Sequence, residues 1–322
     1  YLCRFFTGAG IGGEYSAINS AIDGLIPARV RGRVDLIVNG SYWVGSAAGS
    51  AAALFLLSSV FATDVGWRIA FGLGAVLGLT IMLVRRNVPE SPRWLFIHGR
   101  EDEAEEIVRS IEESVERESG ESLEEVDDTI EVRQREVIPF RTIAQTAFKL
   151  HPKRAILGVA LFVGQAFLYN GVTFNLGDLF STFYGISSGF VPVFIIVFAV
   201  GNFLGPLLLG RLFDTVGRIP MIAGTYLGSA AVATVLAFLF LGHTLSSPWA
   251  FEAFIFGTFF LASAGASAAY LTVSEVFPME TRALAIAFFY AVGTGLGGIV
   301  GPLLFGHLIA TDKRGWVAVA FL

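Results

Sequence analysis

The 322-residue chain is 54% hydrophobic and only 15% charged, with a formal net charge of −5 and a mean hydropathy of +0.67. Soluble domains carry about 25% charged residues, so this balance excludes an ordinary soluble fold, and the acidic net charge gives no reason to expect a nucleic-acid partner. The single cysteine, Cys3, excludes a disulfide within the chain.

Eight continuous apolar runs, each near the ~20 residues needed to cross a bilayer as a helix, occupy roughly 1–22, 35–60, 66–85, 155–180, 189–210, 219–242, 249–273 and 283–309. A ninth opens near Gly315. Helices satisfy their own backbone hydrogen bonds in lipid, whereas barrel strands would be short and alternating. The expected fold is an all-α membrane protein, a helical bundle of eight complete transmembrane helices plus the start of a ninth. The chain opens on Tyr1 rather than Met and starts and stops inside apolar runs, which predicts a piece of a longer protein. The connections 23–34, 86–154, 210–218 and 274–282, with Arg85 at the edge of the second, hold all of the 22 basic residues except Arg4, Arg68, Lys313 and Arg314. The positive-inside bias predicts that these connections are cytoplasmic.

In the first run, Arg4 is the basic residue well inside a span. Burying it costs at least roughly 2.5–3.5 kcal/mol unless it faces a wet cavity or a carboxylate; snorkelling to an interface is the alternative. Glu14 lies deeper and needs a partner or a proton. Gly8, Gly10 and Gly12 predict close approach of a neighbouring helix. Pro27 and then Arg31-Gly32-Arg33 follow the run. The run 35–60 carries Asn39 and Trp43, four apart and so on one face, and a small-residue stripe, Gly45-x3-Gly49, expected to pack.

After Arg86 comes Pro89-Glu90-Ser91-Pro92-Arg93-Trp94. The charged segment 95–152 is the soluble part. Ala104, Ile107, Val108, Ile111 and Val115 recur at helical spacing and predict an amphipathic surface helix that Gly120 ends. Ser122 with Glu125 reads as the capping box of a second, short helix.

The run 155–180 holds Gln165, Tyr169 and Asn170, polar groups best used toward a neighbouring helix or a wet path, with Asp178 at its outer end. Gly201-x3-Gly205-Pro206 precedes the loop Gly210-Arg211-Leu212-Phe213-Asp214-Thr215-Val216-Gly217-Arg218. There Asp214 is expected near a helix N-terminus, favoured by the macrodipole and paired with Arg218. The run 249–273 begins with Glu252, expected to face outward, and ends with Tyr270 and Glu275. The last complete run carries Gly293-x3-Gly297-x3-Gly301-Pro302, a packing stripe with an expected kink.

The chain also echoes itself. The proline–arginine spacing of Pro27 and Arg31 returns in Pro278 and Arg282, and Gly66-Trp67 returns as Gly315-Trp316, which predicts an internal repeat of three spans.

These motifs resemble the major facilitator superfamily, in its sugar-porter and metabolite–proton symporter branch. The resemblance rests on Arg4-x3-Gly8-x-Gly10-x-Gly12, on Pro27 with Arg31-Gly32-Arg33, on Pro89-Glu90-Ser91-Pro92-Arg93-Trp94 and on Gly210-x3-Asp214-x2-Gly217-Arg218. It spans nearly the whole chain, from the family's fourth helix to the start of its twelfth. Asp23 stands one position before the family's usual acidic residue. The resemblance implies three parts: 1–86 as the remainder of an N-terminal helical half, 87–153 as a cytoplasmic linker, and 154–322 as a C-terminal half. It also implies alternating access to a site near the midplane.

By resemblance, Gln165, Tyr169, Asn170, Tyr270 and Asn39 contact substrate, and Arg4 with Glu14 couples the cycle to protons. Arg31, Glu90, Arg93, Asp214, Arg218, Glu275 and Arg282 form a cytoplasmic gate of ion pairs. Gly164 replaces a glutamine that sugar porters have before Gln165, and Gly265-Ala266-Ser267 replaces their Gly-Pro run, which argues against a standard hexose carrier; Arg4 and Glu14 together suit an organic acid at least as well.

The expected function is proton-coupled symport of a small polar solute across the cytoplasmic membrane, by a monomer. A facilitated-diffusion carrier and a non-transporting sensor of the same fold are the alternatives. No paired histidines or metal-ligand cluster lie in the spans, and His243 and His307 stand alone, so neither an enzyme nor a metal or other cofactor is expected.

Overall fold

The computed structural model describes residues 2–57, 61–62, 64–85, 89–120, 122–123, 145, 148–149, 152–277 and 282–322, with the side chains at 4, 16, 20, 21, 23–25, 28, 84, 85, 282 and 283 outside that description. The second short helix expected after Ser122 also lies outside the described residues. Twelve described helices are numbered in chain order: α1 Leu2–Leu25, α2 Ala28–Gly40, α3 Tyr42–Leu56, α4 Gly66–Arg85, α5 Pro92–Ile97, α6 Glu101–Ser119, α7 Pro152–Tyr184, α8 Val191–Thr215, α9 Arg218–Leu241, α10 Pro248–Val276, α11 Arg282–Ala310 and α12 Arg314–Phe321.

Among the described residues six helices are long and apolar enough to cross a membrane: α4 and α7 to α11. The first run falls in one helix, α1, but its glycines, Asn19, Arg4, Glu14 and Asp23 dilute its hydropathy. The run 35–60 is divided at Ser41 into α2 and α3, neither long enough alone. Gly66-Trp67 and Gly315-Trp316 both sit in the first turn of a helix.

The short helices obey local rules. Ser91 caps α5, its Oγ accepting from the Trp94 N–H at 3.4 Å, with Pro92 in the first turn. Glu101, Asp102 and Glu103 open α6, where acidic groups complement the helix dipole. Gly120, at φ 73°, closes it in the left-handed conformation. Ala104 is the buried residue of its apolar stripe.

Helix α10 is central, with 72% of its span buried, whereas the span in α4 is 6% buried. Two devices hold the C-terminal helices together. Gly293, Gly297 and Gly301 bring α11 onto the backbone of α7: a Cβ on Gly297 would stand 2.4 Å from the Val163 carbonyl oxygen. Gly205 does the same between α8 and α10, where a Cβ would stand 2.0 Å from the Phe260 carbonyl oxygen. Removing side chains there lets helices meet at van der Waals distance, the main source of association in lipid. Farther along, Phe180, Phe194, Phe198, Phe240, Phe251, Phe259 and Phe305 form a buried aromatic cluster.

Not every glycine stripe packs. A Cβ added at Gly8, Gly10, Gly45 or Gly49 would find no neighbour within 4 Å, and one at Gly12 would meet only Tyr290, at 3.8 Å. Those faces of α1 and α3 lie open among the described residues. Glu252 corrects another expectation: it sits at the expected end of α10, but its side chain is buried, at 1% exposure.

Candidate functional site

The two ends of the chain meet along α10, which serves as a ruler. From Glu275, Tyr270 lies about 8 Å, Ser263 about 18 Å and Glu252 about 34 Å along the axis at ~1.5 Å per residue.

At the basic end, Asp214 is the joint. Its Oδ1 accepts from the Gly32 N–H at 3.0 Å and from Arg218 Nη1 at 2.7 Å, and its Oδ2 accepts from the Arg33 N–H at 2.8 Å. Arg218 also donates from Nη1 to the Phe213 carbonyl at 2.6 Å, and from Nε and Nη2 to the two oxygens of Glu275 at 3.2 and 2.9 Å. The Arg–Glu contact is therefore the two-pronged kind that fixes geometry as well as charge.

Gly217 permits this arrangement. Its φ of 110° turns the chain tightly between α8 and α9, so that Asp214 and Arg218 fall side by side. Gly32 permits it too, because a Cβ there would stand 2.4 Å from Asp214 Oδ1.

The expected reason for Asp214 was incomplete. It lies at the C-terminal end of α8, where the dipole disfavours an anion. What compensates is the Arg218 guanidinium and two amides near the start of α2, supplied by the other end of the chain.

A layer of aromatic rings sits next along α10. Tyr15 of α1 stacks on Tyr270 of α10 and on Tyr290 of α11, with centroids 5.5 Å apart in both pairs, and Phe162 of α7 meets Tyr270 edge-on at 4.9 Å. Gln165 reaches the Tyr270 hydroxyl, and its own Oε1 is buried with no hydrogen-bond partner. Beside this layer Asn39 donates to Asn19 Oδ1 at 2.9 Å and to the Asp35 carbonyl at 2.9 Å, and Asn19 donates to the Tyr15 carbonyl at 2.7 Å. The third layer joins Tyr169, whose hydroxyl donates to Asn202 Oδ1 at 2.9 Å, to Ser263, which donates to the Asn202 carbonyl at 2.6 Å. Trp43 of α3 covers Tyr169 at 5.7 Å.

The expected substrate residues thus separate. Gln165 and Tyr270 meet; Tyr169 belongs to the next layer. Asn170 donates to the Ala166 carbonyl at 2.8 Å and lies beside Gly298 of α11. Asn39 belongs to the amide network with Asn19 and Asp35, and Trp43, expected on the same face, turns instead to α7 and α8.

Of the gate residues, Asp214, Arg218 and Glu275 come together. Arg31 donates to the Ile26 carbonyl at 3.1 Å, Glu90 is exposed, and Arg93 is half-buried at the start of α5. Glu14 is exposed, one position from the inward-facing Tyr15. The side chains of Arg4 and Arg282 lie outside the described residues.

Tyr15, Asn19, Asp35, Asn202 and Tyr290 were not singled out by sequence. Asn19, Asp35 and Asn202, at 2%, 2% and 0% exposure, carried a usable signal: a polar side chain inside or beside an apolar run needs an internal partner. A tyrosine in such a run carries none.

Replacing Tyr15 with alanine removes both stacks at once. Each is worth about 0.5–1.5 kcal/mol beyond burial. The expected result is a several-fold faster alkylation of a cysteine replacing Gln165, applied from the basic end, in a Cys3→Ser background.

The sequence profile of a family described as "Sugar (and other) transporter" matches residues 1–321. The niacin transporter NiaP of Acinetobacter baylyi is 28% identical over 95% of this chain and 65% of its own length. The putative metabolite transport protein YdjK of Escherichia coli is 28% identical over 96% of this chain and 65% of its own length. Among solved structures, the proton:xylose symporter XylE bound to 6-bromo-6-deoxy-D-glucose superposes with a TM-score of 0.72 at 22% identity, over 95% of this chain and 64% of that one. The chain therefore spans about two-thirds of the length of the relatives it matches. With the profile matched almost end to end on a multi-pass helical fold, the chain belongs to the sugar (and other) transporter family, a family of transporters rather than enzymes.

Proposed function

We propose that this chain is part of a secondary transporter that moves a small polar solute, a sugar or a small organic acid, across the cytoplasmic membrane. It works as a monomer by alternating access coupled to protons. The observation that supports this best is the Asp214 joint. One carboxylate holds the start of α2 against the end of α8, so parting the basic ends of the two halves requires giving up two backbone hydrogen bonds at 3.0 and 2.8 Å.

In this reading the chain carries eight complete spans and the start of a ninth, and the loops 23–34, 86–154, 210–218 and 274–282 are cytoplasmic. Residues 1–86 and 154–322 form the two halves, and 87–153 joins them. Asp214, Arg218 and Glu275 hold the cytoplasmic side shut, with Arg31, Glu90, Arg93 and Arg282 joining the gate as it moves. Gln165, Tyr270, Tyr169, Asn170 and Asn39 line the path of the solute. Arg4 and the exposed Glu14 take part in proton coupling. The similarity to a niacin transporter favours a small organic acid, and the replacements at Gly164 and Gly265-Ala266-Ser267 argue against a standard hexose carrier.

Uptake into proteoliposomes, with niacin, D-glucose, D-xylose and myo-inositol offered in turn, tests this. The expected result is accumulation above equilibrium, driven by a pH gradient and abolished by a protonophore. Equilibration without accumulation would mean facilitated diffusion, and binding without entry would mean a sensor.

Replacing Gln165 with alanine removes an amide that has an unengaged buried oxygen. A hydrogen bond to substrate is worth about 0.5–1.5 kcal/mol. The half-saturation concentration for uptake is expected to rise up to about tenfold.

A further inference from the structure

One buried acid has no place in the mechanism above. Glu252 is in the second turn of α10, at 1% exposure, and neither carboxylate oxygen has a hydrogen-bond partner. Its position is fixed from both sides. One turn before it, Trp249 packs on Phe194 of α8 at 4.7 Å; one turn after it, Phe256 covers Gly201 of α8, where a Cβ would stand 2.7 Å from the ring. Glu252 therefore lies on the part of α10 that seals against α8, at the end away from the Asp214 joint. Beside it, Phe251 meets Tyr184 at 5.3 Å and Phe240 at 5.3 Å.

Among the described residues no counter-charge answers it. The segments 191–210 of α8 and 227–241 of α9 contain no ionisable side chain. On α7 the ionisable groups at this end are Asp178, which is exposed, and Tyr184. On α11 His307 is exposed, and in the connecting segments His243, Asp312 and Lys313 are exposed. Arg314 of α12 is committed elsewhere: it donates to the Phe183 carbonyl at 3.1 Å and lies over the rings of Phe183, Tyr184 and Phe240 at 5.0–5.7 Å. An ionised carboxylate in apolar packing, with neither donor nor cation, is strongly disfavoured against the neutral acid.

We propose that Glu252 is a proton-binding site in the C-terminal half, holding its proton while the seam between α8 and α10 is dry and releasing it when water reaches that seam at the end away from the Asp214 joint. Hydration solvates the carboxyl group, its O–H bond ionises, the proton passes to water, and the carboxylate remains solvated. Drying of the seam takes a proton back. This deepens the proton-coupled reading and rests on it for its role in transport, although protonation itself can be measured without any solute.

Infrared difference spectroscopy on the reconstituted full-length protein is the direct test. Wild type is expected to show the carbonyl-stretch band of a protonated carboxyl group at neutral pH, fading as the bath is made alkaline and missing in Glu252→Gln. Absence of that difference between the two proteins, or a band indifferent to pH, overturns the proposal. In parallel, Glu252→Gln is expected to keep solute counterflow, which shows that it folds, and to lose about tenfold of the pH-driven accumulation. Wild-type accumulation that Glu252→Gln matches also overturns it. If wild type shows the titrating band yet accumulates no solute, the proton site stands and the transport reading falls.

Discussion

Asp214→Asn is expected to open the basic end of the bundle. The carboxylate accepts three hydrogen bonds, two from backbone amides of α2 and one from Arg218. Asparagine keeps the shape but loses the charge, and its amide nitrogen must face one of those donors. Hydrogen bonds to charged groups are worth about 1.5–3 kcal/mol each. Asp214 is 9% and Arg218 22% exposed at the side chain, so solvent screening reduces that gain.

A net loss of about 2 kcal/mol between the open and closed arrangements moves the population roughly thirtyfold toward the open one. Spin labels at Arg29→Cys and Arg211→Cys, both exposed positions on opposite sides of the joint, in a Cys3→Ser background, would report it. A single short distance in the parent is expected to give way to a longer, broader distribution, and accumulation of solute should fall by a similar factor. Gly32→Ala should have the same effect by a different route, since its methyl group would displace Asp214 Oδ1. If uptake falls in both variants while the label distance stays put, Asp214 acts on something other than the meeting of α2 and α8.

Much of this arrangement was legible in the sequence, and unevenly so for physical reasons. Asp214 and Arg218 are four apart across a glycine turn, so local geometry alone predicted that they would pair. What local spacing could not supply was the other donor set, because Gly32 and Arg33 lie far away in the chain and contribute backbone rather than side chains. The placement of Asp214 at a helix N-terminus failed for the same reason: the amides it accepts from belong to the second turn of α2, not to the helix that follows. The aromatic layer was half visible. Tyr270 stood out by its distance from Glu275, whereas Tyr15 and Tyr290 look like any aromatic residue in an apolar run. Glu252 was placed at the right end of its helix and given the wrong surroundings, because its burial depends on how α8 crosses α10.

The glycine stripes make the same point and carry the second large prediction. Gly45-x3-Gly49 and Gly293-x3-Gly297-x3-Gly301 are alike as sequence, yet among the described residues the first pair meets no neighbour and the second seats α11 on α7. Substitutions should therefore differ sharply. A Cβ on Gly297 would meet the Val163 carbonyl oxygen at 2.4 Å and the Phe167 nitrogen at 2.6 Å; one on Gly301 would meet the Phe167 carbonyl oxygen at 2.5 Å.

These obstacles are backbone atoms of a helix, which cannot rotate aside as a side chain does, so the two helices must move apart. Overpacking costs about 1–3 kcal/mol where side chains can adjust, and Gly297→Val should exceed that range. A marginally stable fold, with about 5–15 kcal/mol in hand, would lose a large share of it. The expected outcome is a drop of many degrees in the unfolding midpoint of the detergent-solubilised protein. Gly301→Val should behave alike, and the double variant should cost less than the two separately, since one displacement of α11 relieves both contacts. Gly295→Val, with nothing within 4 Å, should leave the midpoint nearly unchanged. A midpoint for Gly297→Val equal to that of Gly295→Val would mean that α7 and α11 do not meet along this stripe, and the seating of the C-terminal half would have to be redrawn.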